Sequence, residues 1–328
     1  MNVEAIIDSF KKLNVLIVGD VMIDSYLWGA TNRVSPEAPV PIVNVSKQEH
    51  RMGGAANVAL NIMSLGAKPI MLSVIGEDEM GDIYLDLLKL RHMSNEGIVR
   101  SKDRLTSQKT RVISHNQHVV RIDNEITNDI SEKEEDALLK RMDELLSNHK
   151  IDVVILEDYN KGVLTKRVIE EVINKANAKG IPTTVDPKKE NFFEYKNVTL
   201  FKPNLKEFVE GLKLSSIPEA KRTWKASIEK LRSILNQKYT FVTLSEDGVL
   251  IEDKKDIIFI PAHIRNIADV SGAGDTVISV ASCCLAAGTS PEMMANLANL
   301  AGGLVCEEAG VVPISPERLK EEAIESEL

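Results

Sequence analysis

N-V-L-I-V-G at residues 14–19 is an almost unbroken apolar run closed by a glycine, and Asp20 follows at once. Continuous rather than alternating apolarity marks a short strand covered on both faces, as in a buried parallel sheet. The same kind of run recurs as P-I-M-L-S-V-I-G at 69–76, I-D-V-V-I-L-E-D at 151–158, I-P-T-T-V-D-P at 181–187 and V-T-L-F-K-P-N at 198–204. Between these runs the pattern turns helical, over 80–91, 130–147, 165–179, 205–211 and 219–236. Strand–helix alternation of this kind predicts an α/β sheet with helices on both faces. Y-T-F-V-T-L-S-E-D-G-V-L-I-E-D at 239–253 reads as a strand pair and 256–264 as a further strand. Two small-residue helices then cover about 274–287 and 291–308.

Two stretches do not fit that sheet. Residues 31–48 carry Pro36, Pro39 and Pro41 and then alternate, and residues 98–123 alternate with one polar side. Both are expected in a small lid sheet inserted in one 1–328 domain. Its apolar face and open edges suit a second copy of the chain, which predicts a homodimer through the lids.

Composition narrows the function. The 328 residues are 43% hydrophobic, enough for one large core. A formal charge of −9, from 49 acidic and 40 basic residues, argues against a nucleic-acid partner. No apolar run reaches the roughly 20 residues that cross a bilayer, and the charged N-terminus is no signal peptide, so no membrane role is expected. Cys283, Cys284 and Cys306 show no metal spacing and sit among small apolar residues, which fits a reduced, cytoplasmic setting.

The motif richest in chemistry is D-V-S-G-A-G-D-T at 269–276. Gly272 and Gly274 allow a tight turn into a helix, whose free N–H groups make an anion site. An acid at Asp275 is out of place beside bound phosphates unless it serves as base for an attacking hydroxyl. The alternative is an ordinary Asp/Thr helix start. The turn lacks the G-K-[ST] of a Walker loop, and G-D-V-M-I-D at 19–24 lacks the dinucleotide glycines. M-G-G-A-A-N at 52–57 is a second glycine element. Gly53 and Gly54 permit backbone contact with a ligand and Asn57 a bond to a sugar hydroxyl, or the element is a plain turn into a helix. Asp20 and Asp24 lie where sheet ligands bind, as sugar clamps or as solvated turn acids.

With these elements in order, the chain resembles the ribokinase-like (PfkB) carbohydrate kinases. G-G-A-A-N at 53–57 and D-V-S-G-A-G-D at 269–275 are similar to that family's two signatures, K-P-N-L-K-E at 202–207 to its P-N-x-x-E element, and V-T-L-S-E-D-G at 242–248 to its nucleotide edge. The resemblance spans roughly 12–318. A narrower likeness, carried also by S-P-E-A-P-V-P at 35–41, E-D-Y-N-K-G at 157–162 and V-D-P-K at 185–188, is to the kinase domains of ADP-heptose synthesis proteins. These phosphorylate D-glycero-β-D-manno-heptose 7-phosphate at O1 on the way to lipopolysaccharide core.

The resemblance implies a three-layer ribokinase-like fold, a mostly parallel central sheet flanked by helices with a small β-sheet lid. It implies ATP and Mg2+ as cofactors, with K+ as a further candidate. It makes Asp275 the catalytic base and Ser271, Gly272, Ala273 and Gly274 the anion hole. Asn204, Glu207, Thr243, Ser245, Gly248 and Asn299 fall to the nucleotide, with Glu207 reaching magnesium through water. Asp269 falls to a monovalent-cation loop, with Gly310 a candidate for the rest of it. Asp24, Gly53, Gly54 and Asn57 match sugar positions. A substrate phosphate needs cations. Among Arg33, Arg51, Arg104, Lys109, Arg111, Arg121 and Lys161, the last is favoured and Arg111 comes next, against the alternative of solvated surface charges. Asp186 and Lys188 at a strand end, and Asn116 and Gln117 in the lid hairpin, are further ligand candidates or plain turn residues.

No nucleotidyltransferase motif of the H-x-G-H type is present, so the kinase step alone is expected here, with adenylyl transfer on a separate protein. Met22 stands where ribose-specific relatives often have a polar residue, which speaks against ribose. Kinases of another sugar or sugar phosphate, and a non-catalytic binding or scaffold protein of the same fold, are the other readings.

Overall fold

The computed structural model describes residues 2–115, 117–253, 255–263 and 265–328. The chain opens with α1 (Val3–Ser9), β1 (Asn14–Gly19), β2 (Val21–Val34) and β3 (Pro41–Gly54). Then come α2 (Ala55–Ser64), β4 (Lys68–Gly76), α3 (Glu79–Leu90), β5 (Ile98–Ser101), β6 (Ser107–Ser114) and β7 (Gln117–Asn124). The second half runs α4 (Glu132–Asn148), β8 (Val153–Glu157), α5 (Lys166–Ala178), β9 (Thr183–Asp186), β10 (Leu200–Phe201), α6 (Leu205–Gly211) and α7 (Lys221–Leu235). It closes with β11 (Tyr239–Thr243), β12 (Val249–Glu252), β13 (Ile257–Ile260), α8 (Ala273–Ala286), α9 (Pro291–Val305) and α10 (Pro316–Glu325).

Nine strands form one sheet in the order β13-β12-β11-β10-β9-β8-β1-β4-β5. All neighbours are parallel except β11/β12 and β12/β13. The opening run explains why both faces are covered. Val15 and Ile17 of β1 pack with α1, α2, α8 and α9, while Leu16 and Val18 pack with α4, α5 and α7. All four are fully buried. From β1 the chain builds outward through β4 and β5, then returns to β1's other side with β8 and builds the opposite way. The carboxyl ends of β1 and β8 therefore flank a topological switch point, where open α/β sheets bind ligands.

The lid is the sheet β3-β2-β6-β7. It differs from expectation at both ends. The strands β2 and β3 are 14 residues each, so the lid hairpin begins at Val21 rather than near 31 and runs through Gly54 rather than stopping near 48. Within G-D-V-M-I-D, Gly19 closes β1 and Val21–Asp24 form the buried root of a long lid strand, while Gly53–Gly54 ends β3 and Gly54 caps the start of α2, the helix opening expected there. Ile98–Ser101, expected in the lid, pairs with β4 at the edge of the main sheet. Its four residues carry too little pattern to show which sheet they join. The strand expected over 198–204 shrinks to two residues, and the one expected over 256–264 stops at Ile260. Helix α10, with Ser315 as cap and Pro316 at its first turn, follows α9 beyond the last helix expected from the sequence.

Candidate active site

Asp275 sits in the first turn of α8, 5% exposed. Gly272 caps the helix in the left-handed region, φ 81°, where a side chain is strained and a Cβ would press on Val311. The N–H groups of Gly272, Gly274 and Asp275 meet no acceptor among the described residues. They form an N-terminal anion cradle backed by the dipole of a 14-residue helix. Tyr159 donates its hydroxyl to Asp275 Oδ1 at 2.9 Å, and the Asn57 amide donates to the same carboxyl. Burial, with Asp186 nearby, pushes the Asp275 carboxyl up to about 6. An acid held near neutrality in the same helical turn as an anion cradle is suited to take a proton from a hydroxyl.

Asp20, expected as a sugar ligand, does something else. It is 1% exposed, and its carboxylate accepts the backbone N–H groups of Tyr159 (2.9 Å), Lys161 (3.0 Å) and Val163 (2.9 Å). Its acceptor capacity is spent on the loop after β8, which carries Tyr159. Asp20 is a buttress of the base's hydrogen-bond donor, and its assignment to substrate is corrected. Gly54 is fixed by the same packing: at φ 63°, ψ −137° its Cβ would fall 2.4 Å from the Asp20 carbonyl. At Gly53 a Cβ would fall 2.2 Å from Asp24 Oδ2, so these two glycines serve a close approach of the two strands.

On the lid side, Asp24 pairs with Arg111 at 2.5 Å, and Arg111 and Arg51 lie over the Tyr26 ring. Lys161 pairs with Glu125 at 2.6 Å, and Lys109 with Glu125 and Asp123 at 3.1 and 2.9 Å. Both favoured phosphate cations are therefore ion-paired in this structure. Arg104 is removed from the candidates: its guanidinium is spent on the carbonyls of Ile126, Asn128 and Lys161 at the lid base. Asn116 lies outside the described residues.

On the nucleotide side, Asn204 and Glu207 form a reciprocal capping box at the start of α6, with bonds of 2.8 and 2.9 Å. Glu207 Oε1 also accepts from Lys188 Nζ at 3.1 Å. Lys188 stands 3.8 Å from Asp186, which binds the buried Lys202 at 2.8 Å. The carboxylates around Lys188, Asp186 foremost, raise its proton affinity and keep it charged. Asn204 bridges Thr243 in parallel register, so these two stand side by side. Ser245 and Gly248 flank the turn from β11 to β12, both at positive φ. Asn299 donates to the Pro261 carbonyl at 2.9 Å. Asp269 accepts from Ser271 N at 2.9 Å and Gly310 N at 3.2 Å, tying together the two loops read as a cation site. These backbone bonds hold the Asp269 carboxyl below the usual range.

Tyr159, Glu157 and Lys202 carry no role in the sequence motifs, and Asp186 and Lys188 carry two alternative ones. All five stand at or just past the carboxyl ends of β8, β9 and β10. Reading every strand end as part of the crevice would have found them.

The profile of the pfkB family carbohydrate kinases matches residues 12–318. The bifunctional protein HldE of Campylobacter curvus is 41% identical over 308 residues, which are 92% of this chain and 63% of that protein. The protein of the same name from Sulfurimonas denitrificans is 39% identical over 94% of this chain and 63% of its own length. The chain thus spans just under two thirds of the curated relatives it matches. Among solved structures, Escherichia coli phosphofructokinase-2 in complex with potassium has a TM-score of 0.78 at 18% identity, covering 96% of this chain and 99% of that one. Arabidopsis thaliana ribokinase complexed with ribose and ATP has a TM-score of 0.70 at 16% identity, covering 94% and 98%. These likenesses show the fold, a ribokinase-like sheet flanked by helices with a small separate sheet.

Proposed function

The chain belongs to the pfkB family of carbohydrate kinases and is an ATP-dependent sugar kinase; from that premise we propose that it phosphorylates D-glycero-β-D-manno-heptose 7-phosphate at O1, giving the 1,7-bisphosphate. The observation that carries the chemistry is the setting of Asp275, a buried acid at an anion cradle, bonded to Tyr159 and Asn57. The anomeric hydroxyl gives its proton to Asp275 as its oxygen attacks the γ-phosphorus. The bond to the β,γ-bridging oxygen breaks, and ADP leaves with that electron pair. The N–H groups of Gly272 and Gly274 face the charge on the transferring oxygens. The acceptor identity rests on the narrower sequence likeness and on the relatives at 41% and 39% identity.

Asp24 and Asn57 are assigned to sugar hydroxyls and Arg111 and Lys161 to the 7-phosphate. A substrate phosphate would have to draw Arg111 from Asp24 and Lys161 from Glu125. Asn204, Thr243, Ser245, Gly248 and Asn299 are assigned to the nucleotide. Glu207 keeps a partly exposed carboxylate beside Lys188, which fits outer-sphere contact with a magnesium ion through water. Such an ion neutralises phosphate charge. The Asp269 carboxylate between two loops fits a nearby monovalent cation, which would steady the cradle. No helix among the described residues is long and apolar enough to cross a membrane. The free, buried Cys283, Cys284 and Cys306 suit the reduced cytoplasm in which we place the chain.

Incubation with ATP and a panel of heptose 7-phosphate, fructose 6-phosphate, ribose and heptose tests the acceptor. The expected result is turnover with heptose 7-phosphate and a new anomeric phosphate signal in the phosphorus NMR spectrum. Preference for another acceptor, or phosphorylation at another oxygen, refutes it.

The lid is proposed to be the homodimer surface. Val120 and Ile122 stand opposite Val112 and Thr110, on the lid face away from Arg111, and are 48% and 54% exposed. Light scattering at micromolar concentration is expected to give twice the chain mass, and Ile122→Glu to give the single mass. A monomeric wild type refutes the lid dimer.

A further inference from the structure

Beneath Asp275 lies a buried carboxyl that the reaction above does not use. Register places Glu157, the last residue of β8, beside Asp186, the last of β9. Their side chains point to the α8 face of the sheet, so that oxygens of Glu157, Asp186 and Asp275 all lie within 4.8 Å of one another. Glu157 is wholly buried, and neither of its oxygens has a hydrogen-bond partner among the described residues. Asp186 is held by Lys202, and Asp275 by Tyr159 and Asn57. A carboxylate in that position would be a desolvated charge with no donor, beside two others.

Charge balance points the same way. Among the described residues, the cations ion-paired with the four carboxyls of this floor, Glu157, Asp186, Asp275 and Glu207, are the two ammonium groups of Lys188 and Lys202. Tyr159, whose hydroxyl bonds Asp275, is uncharged and held so by burial. The floor therefore carries surplus negative charge, and the member with no donor is where a proton costs least.

We propose that Glu157 is a positioning residue, an uncharged carboxylic acid whose O–H donates toward the Asp275 and Asp186 carboxylates and orients the base. The three carboxyls offer oxygens within 4.8 Å of one another, a span that one bridging water covers. A neutral acid in this place lets Asp275 stay ionised, whereas a third carboxylate would drive the proton onto the base itself. Burial and the neighbouring Asp186 and Asp275 push the Glu157 carboxyl well above its usual range, which agrees with this geometry. The inference rests on Asp275 as base, yet its test is separate.

Glu157→Leu removes the donor and keeps the bulk. It is expected to lower kcat by roughly 10- to 100-fold with little change in the KM for ATP. Glu157→Gln keeps a neutral donor, and it is expected to recover most of that loss with an unmoved acid limb in the pH profile. Equal loss in both variants overturns the proposal, because it would mean that a charge is needed. Full activity of Glu157→Leu reduces the residue to packing and also overturns it. Should Glu157→Leu fail to fold, infrared spectroscopy decides: the wild type should show a protonated-carboxyl C=O band at pH 7–8 that Glu157→Gln lacks. No such band refutes the proposal, as does saturable Mn2+ binding that Glu157→Gln abolishes. Asp275→Asn leaves the Glu157 band in place even if Asp275 is not the base, so the two assignments fail separately.

Discussion

Asp275→Asn is expected to cut turnover by roughly 10²–10⁴-fold while leaving ATP affinity and the melting temperature close to wild type. Asparagine keeps the size of the side chain and can still accept from Tyr159, so the fold around α8 loses little. What is lost is proton acceptance. The wild-type pH profile should carry the same signature. Burial lifts Asp275 to about 6, so its basic form is depleted as the pH falls below that value. Below this limb, kcat/KM should drop about tenfold per pH unit, and the limb should vanish from the residual rate of Asp275→Asn. Near-normal turnover in that variant, or an acid limb that survives in it, removes Asp275 as base.

The same residue shows what the sequence reveals and what it hides. Asp275 was legible because an acid after two glycines at a helix start conflicts with phosphate binding unless it does chemistry. The sheet was legible because a run such as Val15–Val18 must bury both faces. Tyr159 was not legible. Its hydroxyl meets Asp275 across 116 positions of sequence, and nothing local to E-D-Y-N-K-G says so. Glu157 was hidden differently. It ends an apolar strand and looks like an ordinary polar stop, and only the register with Asp186 turns it into a paired buried acid. The lid extends beyond the expected boundaries because β2 is continuously buried over Val21–Ser25, then half-buried from Tyr26 and exposed at its tip. One strand there belongs to two environments, and no single period describes it.

Asp20 separates a ligand from a scaffold, and replacing it distinguishes the two. Asp20→Ala strips acceptors from the N–H groups of Tyr159, Lys161 and Val163 in a site that water cannot readily enter. Unmade buried hydrogen bonds cost about 1–3 kcal/mol each, and relaxation of the loop recovers part of that. Two opposing effects decide the net. The buried Asp20 carboxyl is itself pushed up to about 6 by desolvation and by Asp158, so ionising it is unfavourable. Because its folded proton affinity exceeds the unfolded one, its ionisation costs stability as pH rises from about 4 through about 6. The backbone bonds work against that cost, and at pH 7 their loss should dominate. A net destabilisation of about 3 kcal/mol is expected, which lowers the melting temperature by roughly 5 °C. Tyr159 should then lose its fixed position over Asp275. Turnover should fall with the loosened loop, and proteolysis should cut faster between residues 158 and 163. A sugar ligand would give the opposite pattern, a raised KM for the acceptor with an unmoved melting temperature. That result would restore Asp20 to the substrate site and take from it the role of holding the loop that carries Tyr159.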